Sequence, residues 1–279
     1  MLIFTLTATL SITPAFSVPE QANSKAKEMT EFSIPKNAVQ IAPGIFSLGT
    51  IESNGVISQG IMSLHHRNGH TGGPGGGGPI DDTDSSACYS YIFGKQLQWR
   101  ELENWKLNPS NNAELTQTEV MDTLNAGISE WELHAGTDIL GSGSFTSNTL
   151  VADYDSTDDQ NEIYFADIKN SDGTPNNNIL GVTITWAVVN GPPFARGIVE
   201  MDQVYDDNDF EWSTDDNGVA GKFDFGHVAT HEIGHGVGMG HTSIDDTCKL
   251  ETMYPTAAPD DNDGRDLHDG DIAGIQKLY

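Results

Sequence analysis

Residues 231–241, His-Glu-Ile-Gly-His-Gly-Val-Gly-Met-Gly-His, hold three of the chain's nine histidines, a glutamate and four glycines. His231 and His235 are four apart, so on a helix both imidazoles leave one face and can bind one metal ion. Glu232 lies beside that ion, placed to take a proton from a zinc-polarised water and hand it to a leaving amine. A continuing helix would carry later side chains away. Gly238 can adopt positive φ and turn the chain, which returns His241 as a third ligand. Three ligands leave one position open, as a catalytic zinc requires. His227 lies four before His231 and shares its stripe, but a fourth ligand would close the water position, so it reads as a non-ligand. A bare HExxH arises by chance; five residue types fixed at five spacings point to a metal site.

The elements that must position this helix follow from the rest of the 279-residue chain. Residues 2–16 form an uncharged apolar run too short to span a bilayer, followed by small residues at the positions a signal peptidase reads. Residues 1–17 are therefore expected to be a signal peptide and the product secreted and extracellular, with no later membrane span. Residues 18–70 carry strand-like pieces, such as GVISQGIMSLHH at 55–66, but are too few to bury a core of their own. Six glycines and two prolines at 72–79 cannot hold regular structure, so 71–87 reads as a cleavable linker and 88–279 as the main domain.

Within that domain residues 88–99 read as a strand. In 115–136, Thr116 and Glu119 form a capping box, Val120, Leu124, Ile128 and Trp131 line one face, and Gly136 ends a helix. Three β-rich runs follow (NEIYFADI, ILGVTITWAVV, GIVEMDQVYD), then the histidine helix and a last short helix at DGDIAGIQKLY.

Thirteen basic against forty-one acidic residues give a net charge of −28, which repels nucleic acid and anionic lipid. The acidity reads as a hydrated surface or, in the aspartate-rich runs 153–162, 206–218 and 260–271, as oxygen ligands for Ca²⁺; none fits a full EF-hand loop. The two cysteines, Cys88 and Cys248, are an even pair in an oxidising compartment and read as a disulfide.

HEIGHGVGMGH resembles the metzincin zinc signature, and Met253-Tyr254-Pro255, twelve residues after His241, resembles the Met-turn. FDFGHVATHEIGHGVGMGH, VYDDNDFEW and the terminal DIAGIQKLY are similar to matrixins, a resemblance covering about 88–279. It implies an α+β metzincin catalytic domain: a twisted five-stranded mixed sheet over the active-site helix, a Met-turn and a C-terminal helix. It further implies a zinc endopeptidase acting on protein or peptide substrates, in which Met253 supports the site without binding metal. His227 would floor the specificity pocket, with Tyr254 and Pro255 in its outer wall, and ILGVTITWAVV would be the edge strand that aligns substrate. Residues 150–215 contain no histidine, which argues against the second, structural zinc of animal matrixins and leaves one catalytic zinc. No cysteine precedes Cys88, so the matrixin cysteine switch has no counterpart. Of the adjacent Asp pair that opens the last helix in matrixins, Gly270-Asp271 keeps only the second.

The layout of signal, small segment and linker is that of a zymogen. His65, His66 and His70 are candidates to fill the open zinc position, against a plainer reading as solvated linker histidines. A rival reading for the whole chain is a non-catalytic, calcium-stabilised surface or binding domain that retains a zinc site. Glu232 argues against it, because a binding module needs no base beside its metal. The sequence carries no signal for the oligomeric state.

Overall fold

A computed structural model describes residues 30–68 and 88–279. The expected signal, the linker at 71–87 and His70 lie outside the described residues. The segment before the linker contributes β1 (Glu31–Ser33), β2 (Val39–Ala42), β3 (Ile45–Ser53) and β4 (Val56–Arg67). After it come β5 (Ser90–Tyr91), β6 (Glu103–Asn108), α1 (Gln117–Ala135), β7 (Leu140–Phe145), β8 (Asn161–Lys169), β9 (Ile179–Val188) and β10 (Gly197–Asp206). Next are β11 (Trp212–Ser213), β12 (Phe223–Asp224), α2 (Phe225–Gly236), β13 (Met239–Gly240), β14 (Thr256–Ala257) and α3 (Asp269–Leu278).

The strands after the linker supply five neighbours in the order β7-β6-β8-β10-β9, all parallel except β9, which runs antiparallel to β10. This is the mixed α+β architecture expected. The sheet then continues, because β4 pairs antiparallel with β9 and is followed by β3 and β2. An uncovered β9 would present a row of unpaired N–H and C=O groups, which β4 satisfies. The strands before the linker thus have no separate core. Their Phe32, Leu48, Met62 and Leu64 pack with Tyr164, Val182, Ile184 and Trp186 on one face of the sheet.

The opposite face carries the helices. Alternation decides which residues go where: Ile163 and Phe165 of β8 face the helices, while Tyr164, Ala166 and Ile168 face the other cluster. The nearly unbroken burial of β9 reflects cover on both faces. In α1 the Thr116 hydroxyl accepts from the Glu119 amide, the Glu119 carboxylate accepts from the Thr116 amide, and Gly136 ends the helix at φ 72°. Its buried Val120, Leu124, Ile128 and Trp131 are those of the apolar stripe.

The long strand expected at 88–99 does not form. Only β5 forms a strand there, paired with β13, and Trp99 makes an isolated bridge to Ile198, because the chain turns at Gly94 (φ 64°), whose amide donates to the Tyr91 carbonyl. The first sheet strand of the domain is β6 instead. A disulfide joins Cys88 to Cys248, 160 residues apart, and so ties the start of the domain to the loop after His241.

Candidate metal centre

Asp224 caps α2, its carboxylate accepting from the His227 amide at 2.7 Å while the Arg265 guanidinium donates to both its oxygens at 2.8 Å. Every residue of the helix is buried. From its underside the Trp131 indole donates to the Thr230 carbonyl at 2.8 Å, which fixes α2 against α1. After Gly236 the chain turns at Gly238 (φ 108°) into β13, and His241 comes back to the face that carries His231 and His235.

The three imidazoles are held in one tautomer. Nδ1 of His231 faces the Thr252 carbonyl at 2.7 Å, that of His235 the Met239 carbonyl at 2.9 Å, and that of His241 the Pro43 carbonyl at 3.3 Å. A carbonyl only accepts, so each Nδ1 carries the proton and each Nε2 a lone pair. Those lone pairs converge: Nε2 of His235 and His241 are 3.1 Å apart, and Nε2 of His231 is buried without a partner. Facing lone pairs repel unless a cation lies among them, so the donor set fits a metal ion, and three neutral nitrogens with one open position fit zinc. Burial lowers all three imidazole pKa values, that of His235 to about 4, which keeps the rings in the neutral form a metal needs.

Glu232 is fully buried beside them. Its Oε2 accepts from the Thr183 hydroxyl at 2.5 Å, its Oε1 has no partner, and burial pushes its carboxyl up to about 8. Room for it comes from Gly181, where an added Cβ would lie 2.6 Å from Oε1. Gly181 and Thr183 are site residues that the sequence reading missed. Their signal is alternation within LGVTITW, since positions 181, 183 and 185 share a face of β9 and Thr185 reaches the His235 carbonyl.

Met253 is fully buried under α2, against Gly234. The Thr252 and Met253 amides donate to the Asp271 carboxylate at 2.6 and 3.2 Å, and Glu251 accepts from the Gly270 and Asp271 amides. Burial, then the Glu251 charge, raises Asp271 to about 7. His227 is set apart from the three histidines, with Nδ1 3.2 Å from the Asp261 carbonyl, and lines a cavity of about 240 Å³ together with Tyr254. Pro255, expected in the same wall, is not among the residues lining that cavity, which Tyr254 and Thr256 line on either side of it; its carbonyl accepts from the His66 amide.

Two carboxylate groups stand elsewhere: Asp153, Glu200 and Asp202, and Asp167, Asp206 and Asp209. Buried oxygens of Asp167, Glu200 and Asp209 lack partners, and burial pushes Glu200 up to about 8, Asp206 to about 6 and Asp202 well above its usual range. The acidic run at 153–162 supplies Asp153, and that at 206–218 supplies Asp206 and Asp209. Among the described residues the run at 260–271 enters no such group, and its Asp271 accepts from the Thr252 amide. Asp167, Glu200 and Asp202 were missed, lying inside strands where spacing carries no loop signature.

A sequence model of the matrixin family matches residues 98–279. The chain belongs to the matrixin family. Rat matrilysin is 41% identical over 90 residues, 32% of this chain and 31% of that protein. Human matrilysin is 40% identical over 86 residues, 31% of this chain and 30% of that protein. Metalloendoproteinase 1-MMP of Arabidopsis thaliana is 29% identical over 201 residues, 71% of this chain and 49% of that protein. The matches thus span about a third to a half of these matrixin-related proteins. No helix among the described residues of this matrixin is long and apolar enough to cross a membrane.

Proposed function

We propose that this matrixin is a zinc-dependent endopeptidase in which His231, His235 and His241 hold the metal and Glu232 is the general base and then acid. The observation that carries the reading is the convergence of three Nε2 lone pairs, each fixed by an Nδ1–H bond to a backbone carbonyl, next to a buried carboxylate with one free oxygen. Zinc bound there supplies Lewis-acid polarisation of water and of a peptide carbonyl. Thr183 holds one Glu232 oxygen, which leaves the other to receive a proton and return it to the departing amine. Met253 and the carbonyl of Thr252, both anchored on Asp271, support the ligands from below.

The substrate class is an extended peptide that adds to β9 on the side that β4 covers here. In this reading the cavity lined by His227 and Tyr254 takes an apolar or medium-sized side chain just after the scissile bond. The two carboxylate groups are calcium sites in this reading, since all-oxygen sets with buried, unpartnered oxygens suit a hard cation. The Cys88–Cys248 bond and the expected signal support a secreted enzyme.

The test is Glu232→Gln in the full chain after cleavage within 71–87. Gln keeps the acceptor for Thr183 but cannot carry the proton, so turnover of a peptide library should fall by at least about 10²-fold with one zinc still bound per chain. Undiminished turnover would overturn the mechanism.

A further inference from the structure

We propose that β4 is a built-in inhibitor of this metal centre and that His65 is its metal ligand in the uncut chain, an inference that rests on the metallopeptidase reading. Nine register pairs, from Ser58 opposite Val188 to His66 opposite Ile179, lay β4 antiparallel along β9, where an added peptide strand would bind. The end of β4 is held on its other side as well. It pairs with β14, the His66 amide donates to the Pro255 carbonyl at 3.2 Å, and the Asn68 amide donates to the Ala257 carbonyl at 2.7 Å. One strand therefore bridges the edge strand and the segment that follows the Met-turn, which are the two walls of the cleft.

His65 falls where the strand crosses the metal centre. It lies opposite Gly181, the residue whose missing side chain leaves room for Glu232. Its ring stacks on His231 with centroids 3.7 Å apart, and Nδ1 is 3.9 Å from the free Oε1 of Glu232. Ligand atoms of His65, His231 and Glu232 all lie within 4.8 Å of one another. The side chain is 0% exposed, yet neither ring nitrogen has a hydrogen-bond partner among the described residues. Buried polar atoms in folded proteins are nearly always paired, so unpaired nitrogens on a ring packed against His231 and Glu232 point to the metal as the missing partner of one of them. An imidazole there takes the open position and excludes water and a substrate carbonyl together.

The turn between β2 and β3 closes the same site from a second direction. The Pro43 carbonyl orients His241, the Gly44 backbone lies against its ring, and the Gly44 carbonyl accepts from the Leu64 amide at 2.7 Å. The segment thus completes a ligand's hydrogen bonding while it blocks access. Because it is covalently joined to the domain, its effective concentration is high, and a cut within 71–87 turns the contact into a bimolecular one that dilution can dissolve.

The experiment loads the full chain with Co²⁺ in place of zinc and compares its visible spectrum and its cleavage of a fluorogenic peptide with those of His65→Ala and His65→Gln. A third variant, Gly60→Leu, leaves His65 in place but sets a side chain into the Trp186 ring, where an added Cβ would already lie 2.7 Å away. The cobalt bands should shift in all three variants, and peptide cleavage should rise by about a hundredfold. Wild-type chain cut within 71–87 and diluted is the active reference. Bands that do not move in either His65 variant overturn the proposal, as does a shift without faster cleavage while the cut reference is active. If no form cleaves peptide, the peptidase reading fails and the cobalt spectrum alone decides the role of His65.

Discussion

Gly234 lies within α2, between His231 and His235, and replacing it by alanine sets two effects against each other. An interior helical Gly→Ala change ordinarily stabilises by about 1 kcal/mol, because alanine loses less backbone freedom on folding. Here the new methyl would lie 2.6 Å from Cζ2 of Trp131 and closer still to Sδ of Met253. Both side chains are completely buried, so neither can swing into solvent. The overlap is near 1 Å against a normal carbon contact, and overpacking of this kind costs about 1–3 kcal/mol. The steric term wins, with a net loss of about 1 kcal/mol, or about 2–4 °C in Tm for a domain of this size. Urea titration of the zinc-loaded chain measures it. In a Met253→Ala background the contact with Sδ is gone and Trp131, the remaining obstruction, gains room to shift, so the same change should cost less, a coupling of about 1 kcal/mol. Gly234→Ala variants as stable as the parent in both backgrounds would show that the helix does not rest on Met253 and Trp131.

Two further outcomes follow from the disulfide and the buried carboxylates. The Cys88–Cys248 bond closes a 160-residue separation, so Cys88→Ser with Cys248→Ser should lower unfolding stability by up to about 5 kcal/mol, read from the denaturant midpoint; an unchanged midpoint would refute it. Glu200 and Asp206 hold their protons up to about 8 and about 6 in the fold but release them near 4 when unfolded, so their contribution is full below about pH 4 and is lost as pH rises toward 8. With chelator present, Tm should therefore drop between about pH 5 and about pH 8, and millimolar Ca²⁺ should raise it more at the higher pH, because the cation binds the ionised oxygens. Equal Ca²⁺ effects at both pH values would mean that these groups do not bind it.

The candidate metal-binding histidines, Glu232, the helix of residues 117–135 and the strands β8, β9 and β10 were legible in the sequence because each rests on local periodicity, whereas β6 and β7 were not read as strands. Residues four apart share a helix face, a capping box closes within four positions, and a glycine turn brings His241 back over six residues. What tertiary structure alone decided lies between segments far apart in the chain. Thr183 and Gly181 shape the space around Glu232 from a strand some fifty residues away, and the carboxylate groups are completed from strands outside the acidic runs, by Glu200 and Asp202 of β10 in one and Asp167 of β8 in the other. The role of β4 is the largest such case. Its alternation marks a strand, but no local rule tells which edge a strand joins, and only pairing with β9 carries His65 from a glycine-flanked segment onto His231 and Glu232. Spacing within one element is fixed by backbone geometry, whereas the partner of an exposed edge is chosen by the hydrogen bonds and apolar surface the whole fold leaves open.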